Sequence, residues 1–134
     1  MSTTLPTTLT GLRVLVVEDE DDARGLFEVA LRQCGADVVS APTARAGLDV
    51  FRAVQPDVLV SDLAMPEQDG YWLIAQVRSL TPRRVVPAIA VTGVSGYQAA
   101  RALSEGFHAY LMKPIDPDRL CAVVLRLASL IRPA

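Results

Sequence analysis

The sequence predicts an α/β fold, a doubly wound parallel sheet of five strands with five helices. Two observations predict it. Apolar periodicity switches repeatedly between a period of two and one of about 3.6 residues. The strand-like runs are short, rich in Val and Leu, and bounded by turn residues, as strands buried on both faces are.

The elements follow in order. Leu12 to Val17 reads as the first strand. Ala23, Leu26, Phe27, Ala30, Leu31 and Cys34 then recur at helical spacing, with Gly35 as the stop and Asp22 as the expected N-cap. Asp37 to Ser40 is a short strand. Thr43 caps a helix to about Val54, with Ala46, Val50, Phe51 and Val54 expected inward. Asp57 to Ser61 is the third strand, and Gly70 to Leu80 a helix closed by Thr81-Pro82. Pro87 to Thr92 is the fourth strand, Tyr97 to Glu105 the fourth helix, and His108 to Met112 the fifth strand. Asp116 caps a last helix with Pro117 at its first position, reaching about Ile131. That helix has little polar face, so part of its apolar surface is expected to be exposed or covered by a partner, such as a second copy.

Residues 1–11 read as a mobile arm and residues 12–131 as a single domain, with no output domain beyond. At 134 residues the chain can bury about two thirds of its unfolded surface. A composition of 51% hydrophobic and 21% charged residues is globular, and a net charge of −2 gives no general attraction to nucleic acid or anionic lipid. No basic patch or helix-turn-helix suggests DNA binding. No apolar run nears the roughly 20 residues of a membrane span, and residues 1–10 do not resemble a signal peptide, so the expected location is the cytoplasm. Cys34 and Cys121 are expected to be buried free thiols, since their spacing suits neither a metal nor a redox motif.

The C-terminal ends of four strands carry chemistry to one sheet edge, where open α/β sheets place their ligands. The first strand runs into Glu18-Asp19-Glu20-Asp21-Asp22. The third is followed by Asp62, the fourth ends at Thr92-Gly93, and the fifth at Lys113-Pro114. Two like charges at 4 Å repel by about 4 kcal/mol at an effective dielectric near 20, so the acids either sit apart or share a cation. Oxygen donors suit Mg²⁺. An aspartate can act as a covalent phosphoryl acceptor, while Lys113 and the Thr92 hydroxyl would hold the transferred oxygens. Singly, each residue is more ordinarily explained as a solvated lysine, a strand threonine or a helix first turn. Together they make coincidence improbable.

Leu12 to Ile131 resembles the receiver domain of two-component response regulators. The resemblance rests on Val14-Leu15-Val16-Val17-Glu18-Asp19-Glu20, on Leu59-Val60-Ser61-Asp62-Leu63-Ala64-Met65-Pro66 with Asp69-Gly70, on Val91-Thr92-Gly93 and on Tyr110-Leu111-Met112-Lys113-Pro114. It implies a flavodoxin-like sheet of order 2-1-3-4-5. It implies that Asp62 accepts phosphate from a histidine kinase or a histidine phosphotransfer protein. Asp19, Asp62 and the Ala64 backbone carbonyl would bind Mg²⁺, with Glu18 acting through metal-bound water. Thr92 and Lys113 would contact the phosphoryl group, and Tyr110 would be the aromatic rotamer switch. The fourth helix, fifth strand and last helix would carry the signal, with a homodimer through the last helix as one outcome. Gly93 stands where the family often has alanine. Ala64 and Val94 offer no side chain to orient an attacking water, so self-dephosphorylation is expected not to be fast. His108, at the far end from the site, is expected to be structural.

Rival readings fare worse. A nucleotide- or flavin-binding protein needs glycine-rich amides after the first strand, where this chain has five acids. An aspartate-nucleophile phosphohydrolase needs a second acid two residues on, where Ala64 stands. A degenerate receiver used only for docking would not need every motif residue. The chain is therefore expected not to be an enzyme beyond self-catalysed phosphotransfer and slow self-dephosphorylation. Whether it stands alone or is cut from a larger protein is left open.

Overall fold

The computed structural model describes residues 8–93 and 96–131. Its elements are β1 (Arg13–Val17), α1 (Asp21–Gln33), β2 (Asp37–Ala41), α2 (Ala44–Val54), β3 (Val58–Asp62), α3 (Gly70–Leu80), β4 (Ala88–Thr92), α4 (Gly96–Ser104), β5 (Ala109–Met112) and α5 (Pro117–Ile131). All pairings are parallel and the sheet order is β2-β1-β3-β4-β5, as expected. Every residue of β3 and β4 is buried, which is why Val58 to Val60 and Ala88 to Val91 read as unbroken apolar runs.

Strand alternation divides the core in two. Leu15, Val17, Leu59, Ala88 and Ala90 face α2, α3 and α4. Val14, Val16, Val60, Ile89 and Val91 face α1 and α5. Gly47 of α2 lies where a Cβ would press on the Val17 side chain, so the close approach of helix to sheet requires glycine.

Several expectations are corrected. Glu20, not Asp22, caps α1: its carboxylate accepts from the Asp22 and Ala23 backbone N–H groups, leaving Asp21 and Asp22 in the first turn. Leu26, expected inward, is 66% exposed, because Phe27, Ala30 and Leu31 centre the buried stripe. In α2 the buried stripe is Ala44, Gly47, Leu48 and Phe51, while Ala46, Val50 and Val54 lie half-buried at its border. Cys34 and Cys121 are not free thiols but pair with each other across α1 and α5. The end of the expected arm is held in place. Leu9 is buried in the α1–α5 layer and its N–H donates to the Cys34 carbonyl at 2.7 Å. Met1 to Thr7 lie outside the described residues, as does Val94.

The last helix buries more than its composition suggested. Leu120, Cys121, Val124 and Ala128 are buried, and Val123, Leu125 and Leu127 pack half-buried on the same cluster. Leu130, 68% exposed, is what remains of the expected apolar outer face among its large side chains. At the opposite end, Arg78 donates to the Val86 and Gly106 carbonyls and meets His108 Nδ1 at 3.3 Å. That nitrogen also accepts from the Ala88 N–H at 3.1 Å, so His108 ties the starts of β4 and β5.

Candidate functional site

The parallel register brings β1, β3, β4 and β5 to one edge with their C-terminal residues adjacent, Asp62 pairing with Val91 and Thr92 with Met112. Burial differs among the groups there. Glu18 is 0% exposed and Asp62 and Thr92 are buried, whereas Asp19 is half-buried and Ala64 exposed.

Lys113 sits between the acids. Its Nζ lies 2.6 Å from Glu18 Oε1 and donates to Asp62 Oδ2 at 3.0 Å. Asp62 Oδ1 accepts from the Ala64 N–H at 3.2 Å, and Glu18 Oε2 from the Glu20 N–H at 3.1 Å. Each buried carboxylate is thus fixed by one backbone amide and one ammonium. The loop after β1 is held from below by Arg24, which donates to the Glu18 carbonyl at 3.0 Å and to Asp21 at 2.7 Å.

Burial pushes the Glu18 carboxyl up to about 7; the adjoining Lys113 ammonium and the Glu20 amide only partly oppose it, and the Asp62 charge adds to it. For Lys113, burial pulls downward, but bonds to Glu18 and Asp62 outweigh it and leave the ammonium above its ordinary range. Oxygen atoms of Glu18, Asp19 and Asp62 lie within 4.8 Å of one another. Three carboxylates against one ammonium leave two formal negative charges when all are ionised. The buried Glu18 Oε1 touches Lys113 without a well-directed hydrogen bond. A hard divalent cation fits this donor set on charge and on chemistry.

The loop after β3 is built around close contacts. Asp69 caps α3 through the Trp72 N–H at 2.9 Å, and a Cβ on Gly70 would collide with the Asp62 carbonyl. Glycine there lets α3 start directly against the end of β3. Gly93 is different: a Cβ on it would meet nothing within 4 Å.

A cavity of about 430 Å³ opens beside the acids, lined by Ala64, Met65, Asp69, Tyr71, Thr92 and Arg101 among others, within the roughly 300–1,000 Å³ of small-ligand pockets. Its far wall was not anticipated from sequence. The Arg101 guanidinium lies 3.8 Å from the Tyr71 ring centroid, and the Tyr71 hydroxyl donates to the Gln98 side chain, joining α3 to α4. Burial raises the Tyr71 phenol above its ordinary value, although Arg101 opposes this. Nothing in the local pattern pointed to Arg101; only Tyr71, next to the Asp69-Gly70 turn, stood where a signal could have been found. Of the expected residues, Glu18, Asp19, Asp62 and Lys113 form one cluster. Thr92 is buried beside them on β4. Tyr110 lies half-buried on β5, packed against the α2–α4 side of the core.

Comparison with known proteins agrees with this architecture. The sequence profile described as the response regulator receiver domain matches residues 14–125. A 14.6 kDa protein in the sodA1 3' region of Leptolyngbya boryana is 42% identical, the match covering 87% of this chain and 90% of that protein. The regulatory protein AtoC of Escherichia coli is 34% identical over 88% of this chain, but the match spans only 25% of AtoC. Among solved structures, the Vibrio cholerae chemotaxis protein CheY4 superposes with a TM-score of 0.81 at 26% identity, covering 87% of this chain and 98% of that one.

Proposed function

The chain belongs to the response regulator receiver domain family, and from that premise we propose that Asp62 accepts a phosphoryl group from a phosphohistidine. The observation that carries this reading is the Lys113 ammonium bridging buried Glu18 and Asp62 at one sheet edge. An Asp62 carboxylate oxygen attacks phosphorus, the donor's N–P bond breaks, and the imidazole leaves with the electron pair. The Ala64 amide orients the Asp62 carboxylate, and Lys113 is placed to donate to a phosphoryl oxygen once one arrives. Thr92 offers its hydroxyl to a second oxygen from β4. Glu18, Asp19, Asp62 and the Ala64 carbonyl would hold Mg²⁺, which supplies charge neutralisation at the phosphoryl oxygens when bound. Positioning and charge are most of what such a transfer asks of a protein.

The output is a change of surface. Thr92 drawn toward the phosphoryl group vacates space for the half-buried Tyr110, and α4, β5 and α5 shift as a unit. The partners are a histidine kinase or histidine phosphotransfer protein upstream and another protein, or a second copy meeting through α5, downstream. No described helix is long and apolar enough to cross a membrane, which accords with action in the cytoplasm. Self-dephosphorylation that is not fast accords with the apolar Ala64, and the activity is self-modification rather than turnover.

The test is transfer from a purified phosphorylated histidine phosphotransfer domain to wild type and to Asp62→Asn, with Mg²⁺ or with chelator. Label should appear only on wild type with Mg²⁺. Label on the variant moves the acceptor elsewhere, and rapid turnover of stable phosphomonoesters would make the protein a hydrolase.

A further inference from the structure

We propose that Cys34 and Cys121 are a reversible redox modification site, a dithiol that closes to a disulfide and ties the end of α1 to the first turns of α5. The chain's two cysteines stand 87 positions apart in sequence, yet the fold brings their Cα atoms to 6.6 Å with the sulfurs in contact. That separation falls within the roughly 4.4–6.8 Å a disulfide requires, so closure needs no backbone movement. Phosphoryl transfer uses neither residue, and the inference does not depend on that reading.

The two sulfurs differ in access. Cys34 is the C-cap of α1 and half-exposed, whereas Cys121 is buried among Phe27, Leu31 and Val124. The order of steps follows. The Cys34 thiolate attacks the S–S bond of a small disulfide oxidant such as oxidised glutathione, forming a mixed disulfide and releasing one thiol. Cys121 gives up its proton and attacks the Cys34 sulfur, forming the internal bond and expelling the second thiol. Two protein thiols are oxidised and one small disulfide is reduced to two thiols; a dithiol reductant reverses both steps. Cys121 Sγ also lies 3.3 Å from the Ala30 carbonyl, which would accept its S–H in the open form.

The bond would act on a defined part of the fold. Helices α1 and α5 cover the same sheet face, and their contact is the seam that closes it. The ring closed by the bond contains Asp62, Thr92 and Lys113 but leaves Glu18 and Asp19 outside. Oxidation therefore stiffens the helical layer and restrains α5 without entering the acidic edge.

The experiment uses the full chain, first reduced and then exposed to excess oxidised glutathione. The expected product is lighter by two hydrogen atoms, carries no glutathione, and yields a Cys34–Cys121 linked peptide on digestion. Its Tm should exceed that of the reduced protein by about 10 °C. Dithiothreitol should abolish the gain, Cys34→Ser should lack it, and Asp62→Asn should show it unchanged. A lasting glutathione adduct on Cys34, both thiols still open to alkylation, or a cross-linked dimer would overturn the proposal. So would equal Tm values, or a bond that excess dithiothreitol fails to open in the folded protein.

Discussion

Lowering the pH should weaken divalent-cation binding through a single buried group, Glu18. Its carboxyl is pushed up to about 7 by burial, so near neutrality the proton and the cation compete for the same oxygens. With one competing proton, the apparent affinity is reduced by a factor of one plus ten to the power of pKa minus pH. For a value near 7 that factor is about 11 at pH 6 and about 1.1 at pH 8, a tenfold change or about 1.4 kcal/mol. Calorimetric titration of Mg²⁺ across this range should show the tenfold loss in wild type. Glu18→Gln should bind more weakly throughout but with little pH dependence. The same group affects the metal-free fold: its value rises from 4.5 in the unfolded chain to about 7, so the folded state holds the extra proton between these limits. Stability of the metal-free protein should therefore fall as pH rises through that window, by up to roughly 3 kcal/mol from this group. A flat wild-type profile, or a slope that persists in Glu18→Gln, would refute the reasoning.

Gly70→Ala, whose Cβ would meet the Asp62 carbonyl, should lower stability by about 2 kcal/mol and shift the urea midpoint accordingly, whereas Gly93→Ala, with open space around it, should leave the midpoint unchanged. His108 is held below its ordinary value of 6.5, first by burial and then by Arg78, so the neutral ring is favoured in the folded state. Its contribution should be complete above that value and decline as pH falls below it; urea midpoints at about pH 7.5 and pH 5 should differ less in His108→Gln than in wild type. Thr92→Ala should still take up phosphate on Asp62 yet lose the phosphorylation-dependent change in hydrogen exchange at β5 and α5.

Much of this was legible in the sequence for a physical reason. A parallel sheet turns strand ends into neighbours, so Glu18, Asp19, Asp62, Thr92 and Lys113 could be placed at one edge once the strands were recognised. The inward faces of helices were less legible. In α1 the adjacent Leu26 and Phe27 both fit the helical period, and only packing in the layer that covers the sheet decides that Phe27 is buried and Leu26 exposed. The Cys34–Cys121 pair and the Arg101–Tyr71 stack join segments 87 and 30 residues apart and depend on how helices meet, which local periodicity does not encode. The cap of α1 was misplaced because five consecutive acids offered equivalent capping groups, and the fold selects Glu20.

The central claim is that one carboxylate, Asp62, becomes an acyl phosphate. Borohydride reduction of the phosphorylated protein, which turns an aspartyl phosphate into homoserine, reads that residue directly by peptide mass spectrometry. Homoserine at position 62, and unmodified aspartate at positions 19, 21, 22 and 69, is the predicted result. Homoserine at any other position, or phosphate retained on a histidine or hydroxyl side chain, would contradict it.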